Sequence, residues 1–157
     1  EILSGLVGSE MCIRDSSAAN NHYVFEITET IEMDQIPAVQ NVFKEFVKNE
    51  FRFAIDDFGT GYSNYGYMRD RTFDIVKVDR SFVTDIDKLK DNYLMVSFII
   101  KMAHEMGLHV CIEGVETKEE LSCVKKLGAD YIQGYYYGKP VCLQDFEEQH
   151  LKRFVLG

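Results

Sequence analysis

The sequence has few of the residues that build disulfide frameworks and zinc sites. Its four cysteines, Cys12, Cys111, Cys123 and Cys142, are widely spaced and form no C-x-x-C pair. Its four histidines show no spacing typical of metal ligands. These absences argue against a disulfide framework and against a zinc site, and they predict reduced thiols in a cytoplasmic protein.

Basic residues are also scarce, since 17 lysines and arginines stand against 26 aspartates and glutamates, for a formal net charge of −9. A general nucleic-acid-binding surface needs basic patches, so we predict no nucleic-acid polymer as a partner. No apolar run approaches the roughly 18–20 residues of a membrane span. The amino terminus begins with an acidic residue and lacks a long apolar stretch, which argues against a secretory signal.

From residue 22 onward, short β-like runs alternate with amphipathic helical patterns. The predicted strands cover 22–28, 52–57, 73–79, 108–114 and 129–134. The predicted helices cover 34–50, about 64–69, 91–106, 117–127 and 143–155, with Asp34, the box Thr117-x-x-Glu120, Gly107 and Gly128 as end signals. This β-α alternation with short connections predicts an α/β fold with a parallel sheet.

Residues 1–19 fit this pattern poorly because they show no clean periodicity and lead into no recognisable element. The stretch VGSEMCIRDS within them is similar to a translated cloning artefact. We therefore predict that residues 1–19 are an artefact-like segment foreign to the domain, and that residues 20–157 form one domain.

Side chains alternate between the two faces of a strand. One face of each predicted strand is apolar, and this set comprises Phe25, Ile27, Phe53, Ile55, Val76, Val78, Val110, Ile112 and Ile132. The opposite face carries a polar residue near each carboxyl end, and this set comprises Glu26, Asp56, Lys77, Asp79, Glu113 and Gln133. An open doubly wound sheet binds ligands only near one switch point, so polar residues on every strand favour a (β/α) barrel or part of one.

The charge at this mouth predicts bound cations, because desolvated carboxylates repel one another unless something neutralises them. The carboxylates are Glu26, Asp56, Asp57 and Glu113, with Asp79 as a fifth candidate. Oxygen donors without His or Cys partners suit Mg²⁺ or Mn²⁺, and adjacent carboxylates suit the metal pairs that hydrolyse phosphate esters. Lys77 would orient or deprotonate the attacking water or contact a phosphate oxygen, and Gln133 would hydrogen-bond the ligand or a metal-bound water.

Simpler roles stay open for several of these residues. The two adjacent aspartates would also suit a solvated loop or a helix N-cap. Lys77 would also suit a structural ion pair with Asp79 or Glu113. Gly59 and Gly61 would also suit the geometry of a turn, which is compatible with function.

Five motifs, in order and over residues 22–141, resemble those of EAL domains, the cyclic di-GMP phosphodiesterases. They are FEITET, IDDFGTGYSN, VKVDRSFV, CIEGVET and QGYYYGKPV. The resemblance implies a TIM-type barrel that hydrolyses cyclic di-GMP to linear pGpG with two Mg²⁺ or Mn²⁺ ions. It also implies a homodimer, and a parent protein with fused sensory or GGDEF domains. The alternative function is a receptor or protein-interaction module on the same fold without turnover.

Matched position by position, the resemblance implies metal ligands at Glu26, Asp56, Asp57 and Glu113. Catalysis is then expected of Lys77, Asp57 and Glu113, with Lys77 contacting the nucleophilic water. The resemblance assigns active-site support to Asp79, Gln133 and Gly134. In the loop after the aspartate pair it assigns roles to Gly59, Thr60 and Gly61. It makes Glu29 the anchor of that loop and Glu116 a second acid that supports the site.

The family's Glu-Ala-Leu strand and a later strand with an Asn ligand have no counterpart in residues 1–21. The chain therefore resembles strands 4–8 of an EAL barrel, a partial TIM-type barrel. A part-barrel exposes two sheet edges and an inner face. We accordingly expect this chain alone to be unstable, swapped or inactive, although its parent would be a competent enzyme.

Overall fold

The structure, a computed structural model, describes residues 23–28, 37–60, 72–142 and 145. Its strands are β1 (Val24–Thr28), β2 (Arg52–Phe58), β3 (Ile75–Val78), β4 (His109–Ile112) and β5 (Tyr131–Ile132). Its α-helices are α1 (Pro37–Lys48), α2 (Lys90–Glu105) and α3 (Lys118–Leu127), and a 3₁₀ helix covers Arg80–Phe82. The predicted N-cap at Asp34 and the predicted helices over 64–69 and 143–155 lie outside the described residues, apart from residue 145.

The strands form one sheet in the order β1-β2-β3-β4-β5, and every neighbouring pair is parallel. The register places Phe25 beside Phe53 and Val76 beside Val110. The carboxyl ends of the strands therefore meet at one edge. The predicted α/β fold with a parallel sheet is confirmed.

The apolar face of the sheet forms the core, as the alternation predicts. Its buried strand residues are Phe53, Ile55, Val76, Val78, Val110 and Ile112. They belong to one cluster with the buried face of α2, including Val96 and Ile100, and with Val124 of α3. Burial of β-branched and aromatic side chains against these helices is the main apolar contribution to stability.

Helix ends follow the predicted signals. Thr117 and Glu120 form the capping box at the start of α3, and Gly128 ends that helix with φ of 87°. Gly107 follows α2 with φ of 79°. Both glycines occupy the left-handed region that commonly ends helices. None of the described helices is long and apolar enough to cross a bilayer.

Glu120 is a buried carboxylate that joins two loops at the carboxyl edge. Its Oε2 accepts hydrogen bonds from the backbone N–H groups of Glu116 at 2.9 Å and Thr117 at 3.0 Å. Its Oε1 accepts one from Asp85 at 3.1 Å, in the segment after the 3₁₀ helix. Burial raises the pKa of Glu120, but these backbone hydrogen bonds outweigh it and hold the pKa below its usual value.

Replacing Glu120 by alanine should lower the free energy of unfolding by about 2 kcal/mol, because three backbone donors lose a charged acceptor. Urea denaturation at neutral pH measures the change. Glu119→Ala is the matched control, since Glu119 is exposed in the same helical turn and should cost within about 0.5 kcal/mol.

The Glu120 contribution should also depend on pH. Because its pKa is lower in the folded state, the stabilisation is present above the unfolded value of 4.5 and is lost as the pH falls through the folded pKa. Equal losses for the two alanine variants at neutral pH would contradict the role given to Glu120.

Candidate functional site

Four strands bring charged side chains together at the carboxyl edge of the sheet. The Nζ atom of Lys77 on β3 lies 2.7 Å from Glu26 Oε1, 2.9 Å from Asp56 Oδ1 and 2.8 Å from Glu113 Oε1. Glu26 comes from β1 and Asp56 from β2, and Glu113 directly follows β4. One ammonium group therefore contacts three carboxylates that are far apart in the sequence.

Lys77 lies deep and its partners lie at the rim. The lysine side chain is only 7% exposed, whereas Glu26 is 50%, Asp56 21% and Glu113 19% exposed. Burial lowers the pKa of Lys77, but the hydrogen bonds to Glu113, Glu26 and Asp56 outweigh burial and raise the pKa above its ordinary value. The ammonium group is therefore protonated near neutral pH.

A bulge in β2 brings a second aspartate to the same mouth. Strict alternation would point Asp57 away from Asp56, but the pairing with β3 is irregular between Ile55 and Phe58. Asp57 has φ of +54°, in the left-handed region. Its carbonyl oxygen accepts hydrogen bonds from Thr60 N at 3.2 Å and Thr60 Oγ1 at 2.9 Å. Thr60 thus stabilises the turn that follows the bulge.

The bulge places Asp56, Asp57 and Glu113 so that one carboxylate oxygen of each lies within 4.8 Å of the others. Asp57 is exposed. Burial, followed by the neighbouring charges of Asp56 and Asp79, raises the pKa of Asp57. Its charged form is thus disfavoured in the folded chain, which is the electrostatic state that a bound cation would relieve.

The donor set fits a hard divalent cation. Its atoms are carboxylate oxygens, with no nitrogen or sulfur ligand in the cluster, which suits Mg²⁺, Mn²⁺ or Ca²⁺. With Glu26 counted, four carboxylates face one ammonium group, so three negative charges are in excess. Glu26 joins this site through Lys77.

Asp79 has a visible structural role. Its Oδ1 accepts a hydrogen bond from Ser81 N at 2.9 Å and so caps the 3₁₀ helix. Burial raises the pKa of Asp79, but the hydrogen bonds from Ser81 and Arg80 outweigh burial and lower it. Of the two ion pairs considered for Lys77, the structure contains the one with Glu113.

Of the remaining predicted residues, Gln133 and Glu116 follow the carboxyl ends of strands and are exposed. Gln133 directly follows β5 and is exposed, while its backbone N–H donates to Ile112 at 2.8 Å. Glu116 is exposed, and its backbone N–H donates a hydrogen bond to the Glu120 carboxylate. The predicted loop residues Glu29 and Gly61 lie outside the described residues.

Two glycines at the rim are required by close packing. Gly59 has φ of +95°, and a Cβ there would lie 3.0 Å from the Phe82 ring. A Cβ on Gly134 would collide with the backbone of Val115. The loops after β2 and β5 therefore pack directly on the segments that follow β3 and β4.

Cys111 lies on the inner face of β4, two residues before Glu113. Burial, followed by the charge of Glu113, raises the pKa of this thiol to about 11. A protonated thiol is a weak nucleophile, so the site does not suit cysteine-based catalysis. Sequence alternation placed Cys111 on this face but gave no signal of its protonation state.

Comparison with known proteins gives a consistent picture. The sequence model of the family described as EAL domain matches residues 9–140. A curated relative, cyclic di-GMP phosphodiesterase PdeB of Shewanella oneidensis, is 35% identical over 131 residues, which cover 83% of this chain and 15% of that protein. The chain spans between 15% and 33% of the length of the curated relatives it matches.

Solved structures resemble the chain over most of its length. The EAL enzyme Bd1971, in a form bound to cAMP and cyclic di-GMP, matches with a TM-score of 0.80 and 34% identity over 88% of this chain and 37% of that one. A manganese and cyclic di-GMP complex of BlrP1 from Klebsiella pneumoniae matches with a TM-score of 0.74 and 29% identity over 85% and 34%. The predicted TIM-type barrel relationship is confirmed.

The bulge predicts different outcomes for two substitutions of Asp57. Asp57→Asn should keep or slightly raise stability in metal-free buffer, because asparagine tolerates the left-handed region and the disfavoured charge is removed. Asp57→Ala should be about 1 kcal/mol less stable than Asp57→Asn, because alanine does not favour φ of +54°. Urea denaturation with EDTA measures both.

Asp87→Ala is the control for this comparison, because Asp87 is exposed and is not among the described residues with positive φ. We expect it to change stability by less than about 0.5 kcal/mol. Equal stability of the asparagine and alanine variants would contradict the prediction, because it would show that the left-handed backbone at position 57 adds no cost to folding for alanine.

Proposed function

Because this chain belongs to the EAL domain family, we propose that its complete domain hydrolyses one phosphodiester bond of cyclic di-GMP to give linear pGpG. The observation that carries the proposal is the meeting of four carboxylates at one edge of the sheet. Glu26, Asp56 and Glu113 contact Lys77, and Asp57 lies beside Asp56 and Glu113. The names of its relatives support the substrate.

Asp56, Asp57, Glu113 and Glu26 would hold Mg²⁺ or Mn²⁺. When bound, these ions would polarise a phosphoryl oxygen and lower the pKa of water. The manganese in the BlrP1 complex supports a divalent ion. The three excess negative charges also support it, because they would repel a phosphate without cations.

Lys77 acts as a donor in this proposal. In the metal-free chain its raised pKa keeps the ammonium group protonated, and in this proposal the group donates hydrogen bonds to the attacking water or to a phosphoryl oxygen. Its depth fixes the ammonium position below the carboxylates. Gln133, which is exposed directly after β5, would hydrogen-bond the ligand.

The 157-residue chain on its own should turn over little or no substrate, because the family's Glu-Ala-Leu strand and Asn ligand have no counterpart among its motifs. The same observation favours the second candidate for this chain, a receptor that binds cyclic di-GMP without cleaving it. The greater length of the relatives supports further domains in the parent, and the family resemblance implies that these are sensory or GGDEF domains.

The enzyme proposal predicts that Asp56→Asn lowers metal-dependent conversion of cyclic di-GMP by about 100-fold or more in the complete domain. Mutating a residue that only hydrogen-bonds a metal ligand already lowers metal affinity or activity by roughly 10–100-fold, and Asp56 is itself a proposed ligand. Chromatography of pGpG with Mg²⁺, Mn²⁺ or EDTA measures turnover. Asp87→Asn, which removes an exposed acid that is not part of the carboxylate cluster, should leave turnover unchanged.

Turnover that survives Asp56→Asn, or that proceeds equally in EDTA, would contradict the metal-dependent site. Saturable binding of cyclic di-GMP without any pGpG from the complete domain would favour the receptor.

We also propose that the chain forms a homodimer through the outward face of α2. This face exposes Leu94, Met95 and Phe98, with exposed fractions of 54%, 47% and 58%. If two copies of α2 pack antiparallel through this outward face, with residue 96 at the midpoint of the overlap, Leu94 faces the partner subunit's Phe98. Asp91 then faces the partner subunit's Lys101, so the pairing joins apolar contacts with opposite charges.

Phe98→Glu should shift the chain from dimer to monomer in light scattering coupled to size exclusion, because the substitution puts charge into an apolar contact. Val47→Glu is the matched control, since Val47 is 42% exposed on α1 and should leave the mass unchanged. A dimer that tolerates Phe98→Glu would contradict this face.

A further inference from the structure

Lys77 and the cation site draw on two of the same carboxylates. The ammonium group contacts Asp56 and Glu113 at 2.9 and 2.8 Å. Those two carboxylates also belong to the cluster whose third member is Asp57. A cation that binds this cluster therefore competes with Lys77 for the negative charge of both carboxylates.

We propose that Lys77 is the internal counter-ion of the metal-free site, and that metal loading exchanges its ammonium contacts for a divalent ion. The proposal rests on the metal site described under the proposed function and adds a separate role for the lysine. In the metal-free chain Lys77 holds the carboxylates of β1, β2 and the end of β4 together. During loading it competes for them and so sets the metal affinity.

The position of Lys77 makes this competition unavoidable. Its side chain is 7% exposed, and β3 lies between β2 and β4 with Lys77 in register with Cys111. The ammonium group therefore stays within the sheet when its contacts are exchanged. The divalent ion and the ammonium group then lie close together in a partly buried site, and their mutual repulsion weakens metal binding.

A purely structural role for Lys77 predicts the opposite result. If the lysine only kept the carboxylates in place, its removal would let them move apart and would weaken metal binding. Exchange predicts that removal tightens metal binding while it destabilises the metal-free fold. The two roles therefore differ in the sign of one measured quantity.

Lys77→Met, which keeps side-chain length and removes the charge, tests the sign. Isothermal titration of the full chain with Mn²⁺ should give a Kd about tenfold lower than that of the wild type, because one competing positive charge is gone. Thermal unfolding in EDTA should give a lower Tm, and the rise in Tm on adding Mn²⁺ should be larger. Lys88→Met, which removes an exposed lysine paired with Asp85, should match the wild type.

If Lys77→Met does not fold without metal, the comparison is made between Glu26→Gln and the double variant Glu26→Gln with Lys77→Met. The double variant loses one charge of each sign, and exchange again predicts the lower Kd for the chain without the lysine. Unchanged or weaker Mn²⁺ binding without Lys77, beside normal binding by the wild type, overturns the counter-ion role alone. No Mn²⁺ binding by any folded variant overturns the carboxylate cluster as a metal site in this chain as well, whereas the Asp56→Asn assay tests the metal site of the complete domain.

Discussion

The contact of Lys77 with three carboxylates is the interaction on which this edge of the sheet depends. Four strands meet there, and three of them contribute or lead into an acidic side chain bonded to the same ammonium group. Without that charge, the carboxylates would repel one another at the very place where the strands must converge. The same lysine therefore joins the strands at this edge and offsets the negative charge of their mouth, and a change at this position affects both.

The bulge at Asp57 is the second constraint, because it solves a geometric conflict. Consecutive residues of a regular strand face opposite sides, so a regular β2 would leave one of the two aspartates outside the site. The left-handed backbone at Asp57 turns its carboxylate back toward Asp56 and Glu113. Local strain at one residue thereby concentrates charge, and burial, followed by the charges of Asp56 and Asp79, raises the pKa of Asp57.

Much of this arrangement is readable from the sequence because alternation is a strong signal in parallel strands. It placed Lys77 and the acids at the carboxyl ends, and it placed the apolar set, such as Val76 and Val110, in the core. Alternation could not predict the bulge, because in a regular strand the Asp57 side chain would point to the face opposite Asp56. Nor could it reveal that Lys77 contacts three acids at once or that Glu120 is buried, because both depend on the spacing of segments distant in the chain. The boundary at residue 20 and the roles of Glu29 and Gly61 stay predictions.

The hydrogen bonds of Glu120 have a mechanical consequence for the rim. They fasten the start of α3 to the segment after the 3₁₀ helix, and Gly114 lies so close to Arg80 that no Cβ fits between them. The segments that follow β3 and β4 are thus tied to each other at two points. Glu113, which lies between β4 and the start of α3, therefore stands on a part of the rim whose position depends on the 3₁₀ segment as well as on its own strand.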